Sequence, residues 1–168
     1  MSIAEAVANA GRYLTEHPDE ARYRDSAAVA RLAGGLRVEV HGADGAGLET
    51  DMPTGIGGTA TAPSPGWMLR AAIASCVASL IAIRAATLGY ELTSVDVTVD
   101  SESDDRGILG LDDSIPAGPL STRIAVTVSV PGRGPEDVDA LVRWAVDHCP
   151  VSDAIKRAVP VEVASGVG

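Results

Sequence analysis

The chain has 168 residues, enough for one domain with a hydrophobic core and a terminal appendage, and its 46% apolar content argues against a mostly disordered chain. The formal net charge is −10 and the Lys and Arg residues are scattered. This excludes nucleic acid and anionic membranes as partners, because phosphate binding needs concentrated positive charge. Phe is absent and aromatics are only 3%, so the core is built from small side chains that allow close backbone approach. The N-terminal MSIAEAVANAG has no basic region and no uninterrupted apolar core, which predicts no secretory signal. The longest uncharged apolar stretch, Ala71 to Ile83, falls short of the roughly 20 residues a membrane span needs. A soluble, cytoplasmic chain without a membrane partner is expected.

In chain order, Ile3, Val7, Ala10 and Leu14 recur at helical spacing and predict a helix over Ile3–Glu16, ending before Pro18. A polar linker covers Asp19–Asp25. Alternating segments Ala27–Leu32 and Leu36–His41 flank Gly34-Gly35 and predict a hairpin. A short strand over Leu48–Thr50 follows the turn at Gly42–Gly47, and Asp51–Pro63 (DMPTGIGGTATAP) reads as a loop. The longest helix comes next, with Ser64 as cap, Pro65 at its first position and Gly89 past its end. From Trp67 to Leu88 it is apolar nearly all round, which predicts burial on most faces. Ala71, Ser75, Ala78, Ala82 and Ala85 form a stripe of small residues that suits a close helix partner.

Strands are expected over Leu92–Val99 and Arg123–Val130, separated by an acidic excursion from Ser101 to Ser121. Pro135 opens another helix, with Glu136 and Asp137 complementing its N-terminal dipole and Val138, Leu141, Val142 and Ala145 as its buried stripe. Val151–Val159 reads as a short helix and Pro160–Val163 as a closing strand. The organisation expected is an N-terminal helical extension over residues 1–25 and one domain over residues 26–168.

Two cysteines, Cys76 and Cys149, lie 149 − 76 = 73 residues apart. In a reducing compartment they are either two inert thiols or a redox couple. In HCPVSDAIKRA, Pro150 suits a first helical position and makes Cys149 the cap, where the helix dipole favours a thiolate; an unreactive cap fits the same residues. Cys76, mid-helix in LRAAIASCVASLIAI, reads locally as a small buried hydrophobe. Its own helix supplies no nearby cation, since Arg70 and Arg84 lie about 9 and 12 Å away along the axis on different faces.

Weaker patterns point elsewhere. Gly55-Ile56-Gly57-Gly58-Thr59-Ala60 has dinucleotide-loop spacing, but Pro53 and Pro63 remove the strand-turn-helix context it needs. Asp100, Glu102 and Asp104 start like a calcium loop, yet Leu111 stands where the closing Glu belongs, and a solvated acidic loop fits better. His17, His41 and His148 have no metal-ligand spacing. His148 beside Cys149 can assist a thiol or simply end a helix. No cofactor and no metal are expected.

Taken together, APSPGWMLRAAIASC, LGYELTSVDVTVD and HCPVSDAIKRAVPVEV resemble the OsmC/Ohr family over roughly Arg31 to Val163. The resemblance implies an α+β intertwined homodimer, with long central helices wrapped by antiparallel sheets. It implies a thiol-dependent peroxidase that reduces organic hydroperoxides in oxidative-stress defence. Cys76 would be the peroxidatic thiol and Cys149 the resolving thiol, with a dithiol such as a lipoyl group as reductant. Peroxidase members carry an Arg in the loop before the central helix and a Glu at that helix's start. Here Asp51–Pro63 contains no Arg or Lys, and Gly66 follows Pro65 where the Glu would sit. The alternative is a non-enzymatic dimer of the same fold that binds a small apolar ligand at the interface. A basic residue within reach of the Cys76 sulfur discriminates between the two.

Overall fold

Ser2 opens the first helix, α1 (Ile3–Glu16), through a reciprocal cap: its hydroxyl accepts the Glu5 N–H and the Glu5 carboxylate accepts the Ser2 N–H. The computed structural model describes residues 1–157 and 159–166. The helix ends ahead of Pro18 as expected, and no residue of it is buried. Within the linker region, Pro18–Ala21 winds into one 3-10 turn.

The hairpin forms around Gly34 and Gly35, both at positive φ, between β1 (Val29–Gly34) and β2 (Arg37–His41). A third strand, β3 (Gly47–Thr50), pairs antiparallel with β2 and gives the order β1-β2-β3. The chain divides into two compact units, and this sheet belongs to the first, Met1–Ala72; the second begins at Ile73.

The central helix, α2 (Pro65–Leu88), has the predicted ends. The Ser64 hydroxyl accepts the Trp67 N–H at 3.3 Å, and Gly89 (φ 67°) reverses the chain so that the Tyr90 N–H reaches the Ala85 carbonyl. The expected burial on most faces is not met within one chain. Only Ile73, Val77, Ile81 and Ala85, one residue per turn, are fully buried. Of the small-residue stripe, Ala85 joins that inner face, whereas Ala71, Ala78 and Ala82 are half-buried and Ser75 is exposed. By length and composition this helix is apolar enough to cross a membrane, with a mean hydropathy of 1.9. The uncharged stretch Ala71–Ile83 is shorter than the helix, which includes Arg70 and Arg84 on either side of it.

In the second unit, β4 (Ser94–Glu102) and β5 (Ser121–Ser129) pair antiparallel from Ser94↔Ser129 to Glu102↔Ser121. β4 therefore starts two residues later than predicted and runs three residues further, because Asp100 pairs with Arg123 across the ladder at 2.6 Å. The acidic excursion contains one short helix, α3 (Asp105–Ile108), capped by Asp104. Helix α4 (Pro135–Asp147) buries Leu141 and Ala145, and α5 (Pro150–Lys156) follows directly. The unit's core joins Ile73, Val77, Ile81, Ala85, Val130, Leu141, Ala145 and Cys149. The closing strand expected over Pro160–Val163 is not formed. Val161 and Val163 are more than four-fifths exposed, and a strand without a neighbour to pair with has nothing to stabilise it.

Candidate functional site

Pro150 starts α5, so the preceding residue must cap it, and that residue is Cys149. Its sulfur accepts the Ser152 N–H at 3.4 Å, and the Val151 N–H also acts on it. The Ser152 hydroxyl donates to the Val146 and Cys149 carbonyls, which ties the start of α5 to the end of α4. Cys149 is fully buried, with 0% of its surface exposed. Nothing in the sequence reading singled out Ser152. Its signal was positional, since the third residue of a helix is the one whose N–H a cap accepts.

Cys76 lies on α2 beside Val77 and is only partly buried. Both cysteines are free thiols, and despite 73 residues of separation they lie close enough for each to shift the other's ionisation. Their mutual effect is asymmetric. Burial raises the Cys76 pKa, and the neighbouring Cys149 raises it further, against a weaker opposing effect of the Val151 N–H. Burial also pushes Cys149 up, but the Ser152 N–H, the Cys76 thiol and the remaining donors outweigh it and leave its pKa lowered. Cys149 is thus the more easily ionised of the two.

The basic residues near this pair are engaged with other groups. His148 adjoins Cys149 in sequence, but its Nδ1 lies 2.7 Å from the Trp144 carbonyl and its ring stacks on Trp144. Arg84 lies over the other aromatic contact of that cluster, 4.9 Å from the Trp144 ring centre. Among the described residues, no Arg, Lys or His contributes to the ionisation of Cys76. A concavity of about 270 Å³ is lined by Ile73, Leu120, Ile124 and Ile155 together with the polar Ser121, Thr122, Ser152 and Lys156; neither sulfur is on its wall. Ile73 precedes Cys76 by about one helical turn, and Ser152 is the residue that holds the Cys149 sulfur. Lys156 reaches Asp147 at 3.7 Å.

The first unit carries one polar centre that the sequence reading passed over. Asp51 is 1% exposed, and its carboxylate accepts the N–H groups of Met52, Thr59 and Thr61 and the hydroxyls of both threonines. The Thr59 hydroxyl first, then the Thr61 N–H, hold its pKa far below the usual carboxylate range, against the cost of burial. These bonds close Asp51–Thr61 into a wound loop that contains the GIGGTA segment. That segment forms a 3-10 turn at Thr54–Ile56 and not the strand-to-helix turn of a dinucleotide site. The other rejected pattern is likewise accounted for by ion pairs, with Asp100 bound to Arg123 and Asp104 to Arg106.

A long helix and antiparallel sheets, with one thiol mid-helix and a second capping a helix start, define a two-thiol α+β protein. The family model for OsmC-like proteins matches residues 58–164, and the chain belongs to that family. It is 28% identical over 101 residues to the peroxiredoxin OsmC of Escherichia coli (strain K12), a match covering 59% of this chain and 64% of that protein. The chain thus spans slightly less than two thirds of that relative's length. Among solved structures, it resembles an organic hydroperoxide resistance protein OsmC from Legionella pneumophila, with 26% identity and a TM-score of 0.59 over 80% of this chain and 91% of that one. An OsmC-like protein of unknown function from Vibrio cholerae shares the fold at 10% identity, with a TM-score of 0.66 over 79% and 94% of the two chains.

Proposed function

We propose that this protein is a thiol-dependent peroxidase that reduces organic hydroperoxides, with Cys76 and Cys149 as its working pair. The observation that carries the reading is the approach of two free thiols contributed by distant parts of the chain, close enough for each to act on the other. Such an approach leaves only a local adjustment before a disulfide can form. Cys76 is the more accessible sulfur and meets the peroxide. Its thiolate attacks the outer oxygen of the O–O bond, giving a sulfenic acid and releasing the alcohol, and Cys149 condenses with the sulfenic acid to form a disulfide and water. A small dithiol of the lipoyl type then reduces the disulfide by exchange. The concavity whose wall includes Ile73, one turn before Cys76, and Ser152, the residue bonded to the Cys149 sulfur, suits the organic part of the peroxide.

The working form in this reading is a homodimer in the cytoplasm. OsmC/Ohr proteins form dimers, and the outer faces of α2 are apolar yet uncovered within one chain. Residues 26–168 form the OsmC-like domain and residues 1–25 an added helical segment. Consumption of cumene hydroperoxide with dihydrolipoamide tests the activity. Wild type is expected to turn over, Cys76→Ser to lose turnover, and wild type to accumulate an intramolecular disulfide that dithiothreitol reverses. Among the described residues no basic side chain acts on Cys76, which favours the second reading, an apolar-ligand-binding dimer; both thiols staying reduced under excess peroxide would decide for it.

A further inference from the structure

We propose that the cavity between the Asp51–Pro63 loop and the first turns of α2 binds a small aromatic carboxylate, its ring against Trp67 and its anionic group on Arg70. The proposal stands apart from the peroxidase reading, because this site uses neither thiol and lies wholly within the first unit.

The cavity has a volume of about 410 Å³, inside the range of roughly 300–1,000 Å³ typical of small-molecule sites. Met52, Pro53 and Ala60 form its loop wall, and Pro63, Trp67 and Arg70 face them. The loop wall is built before any ligand arrives. Asp51 gathers five donors from Met52, Thr59 and Thr61, and its own N–H donates to the Pro63 carbonyl at 3.2 Å. The Ala60 N–H donates to the Met52 carbonyl at 3.2 Å, with Ala60 at φ 52°, a left-handed conformation that residues with a Cβ seldom adopt. A wall fixed in this way has little ordering left to do when a ligand binds.

The lining selects the ligand. Met52, Ala60 and the two prolines offer apolar surface to an organic body. Trp67 keeps 49% of its surface exposed, and a flat ring laid on the indole would cover it. Asp51 also borders the cavity, but its carboxylate is taken up by the five donors. Of the described residues on this wall, Arg70 is the other ionisable one. Its side chain folds back along the helix, so that Nη1 lies 3.9 Å from the point where a Cβ on Gly66 would stand. The guanidinium is therefore carried one turn towards the loop, and Gly66 has no side chain to compete for it. Its planar fork of five N–H donors matches a carboxylate and can serve a ligand and the protein together. In a chain of net charge −10, a cation presented locally is what admits an organic anion.

Calorimetric titration of the full chain with 2-naphthoate, and with 2-naphthamide as the same rings without the charge, tests the site. Naphthoate is expected to bind saturably and naphthamide about tenfold more weakly. Gly66→Glu sets a carboxylate in ordinary contact with Arg70 and is expected to lower naphthoate affinity about tenfold, whereas Gly66→Gln keeps it. Arg70→Gln and Trp67→Leu are expected to show losses of similar size, and Lys156→Gln, on the other concavity, none. Thermal melts report which variants are folded. The Gly66 pair alone suffices, since both add a side chain of one size at an exposed position. Equal affinity for naphthoate and naphthamide overturns the proposal, as does affinity lost in Lys156→Gln but kept in Gly66→Glu. Absence of naphthoate binding up to about 1 mM also overturns it. If Trp67→Leu then turns a dimer into a monomer in light scattering, the wall is covered by a second copy of the chain instead.

Discussion

Asp51 shows what a single residue can organise. Five donors converge on one carboxylate, and its anionic form is what they recognise. The folded-state pKa lies below the ordinary value of 3.8, so its stabilisation is complete above that pH and fades only as pH falls from there towards the depressed folded value. Asp51→Asn presents an amide's donors to N–H and O–H groups that need acceptors. We expect a lower melting temperature at neutral pH and a shallower loss of stability in acid, measured by thermal melts across pH. The same committed-partner logic applies to the acidic excursion. Because Asp100 and Asp104 already bind Arg123 and Arg106, calcium titration is expected to leave the melting temperature unchanged apart from ionic strength. Cys149 was legible in the sequence as a cap through Pro150. Its partnership with Cys76 was not, since neither spacing nor periodicity specifies a contact across 73 residues. It came only from the family resemblance. Asp51 was missed because its five donors include three backbone groups, which leave no mark in side-chain pattern.

Among the elements, the Asp51–Thr61 loop is the most tightly determined. A Cβ at Gly58 would stand 1.8 Å from the Met52 carbonyl oxygen, and backbone on that side cannot yield as a flexible side chain would. Gly58→Ala is expected to destabilise the fold by about 2–4 kcal/mol in urea denaturation. Gly55→Ala is the control, because a Cβ there meets open space. Helix ends were the best-read features of the chain: Ser2 and Glu5, Ser64 and Pro65, Gly89, and Pro150 each signal a boundary through local chemistry. Strand ends were read less well. The outer pairs of β4 and β5 depend on Arg123 meeting Asp100, a cross-strand contact that alternation within one segment does not encode. Pro160–Val163 failed for the same reason, having the residues of a strand but no neighbour to complete it.

For the whole molecule, the charge of −10 and the uncovered apolar faces of α2 set opposite demands. The charge keeps copies apart in general, and the helix needs one specific contact. Light scattering at low micromolar concentration is expected to find a dimer. Ala78→Leu, which enlarges a half-buried position on the small-residue stripe, is expected to weaken that dimer and lower its melting temperature. A stable wild-type monomer would contradict the proposed assembly.

The chain has two tryptophans, Trp67 and Trp144, and Trp144 belongs to the same helix that leads into Cys149. Trp144 carries His148 on its ring, centroids 4.2 Å apart, and His148 is bonded directly to Cys149. Any turn of backbone that carries Cys149 onto Cys76 must also move the stacked imidazole. If the two thiols form a disulfide as proposed, the indole is placed to report it. In a Trp67→Tyr protein, where Trp144 emits alone, fluorescence should step once when the disulfide forms and return when a dithiol reduces it. That readout would let the catalytic cycle be followed in real time without a label.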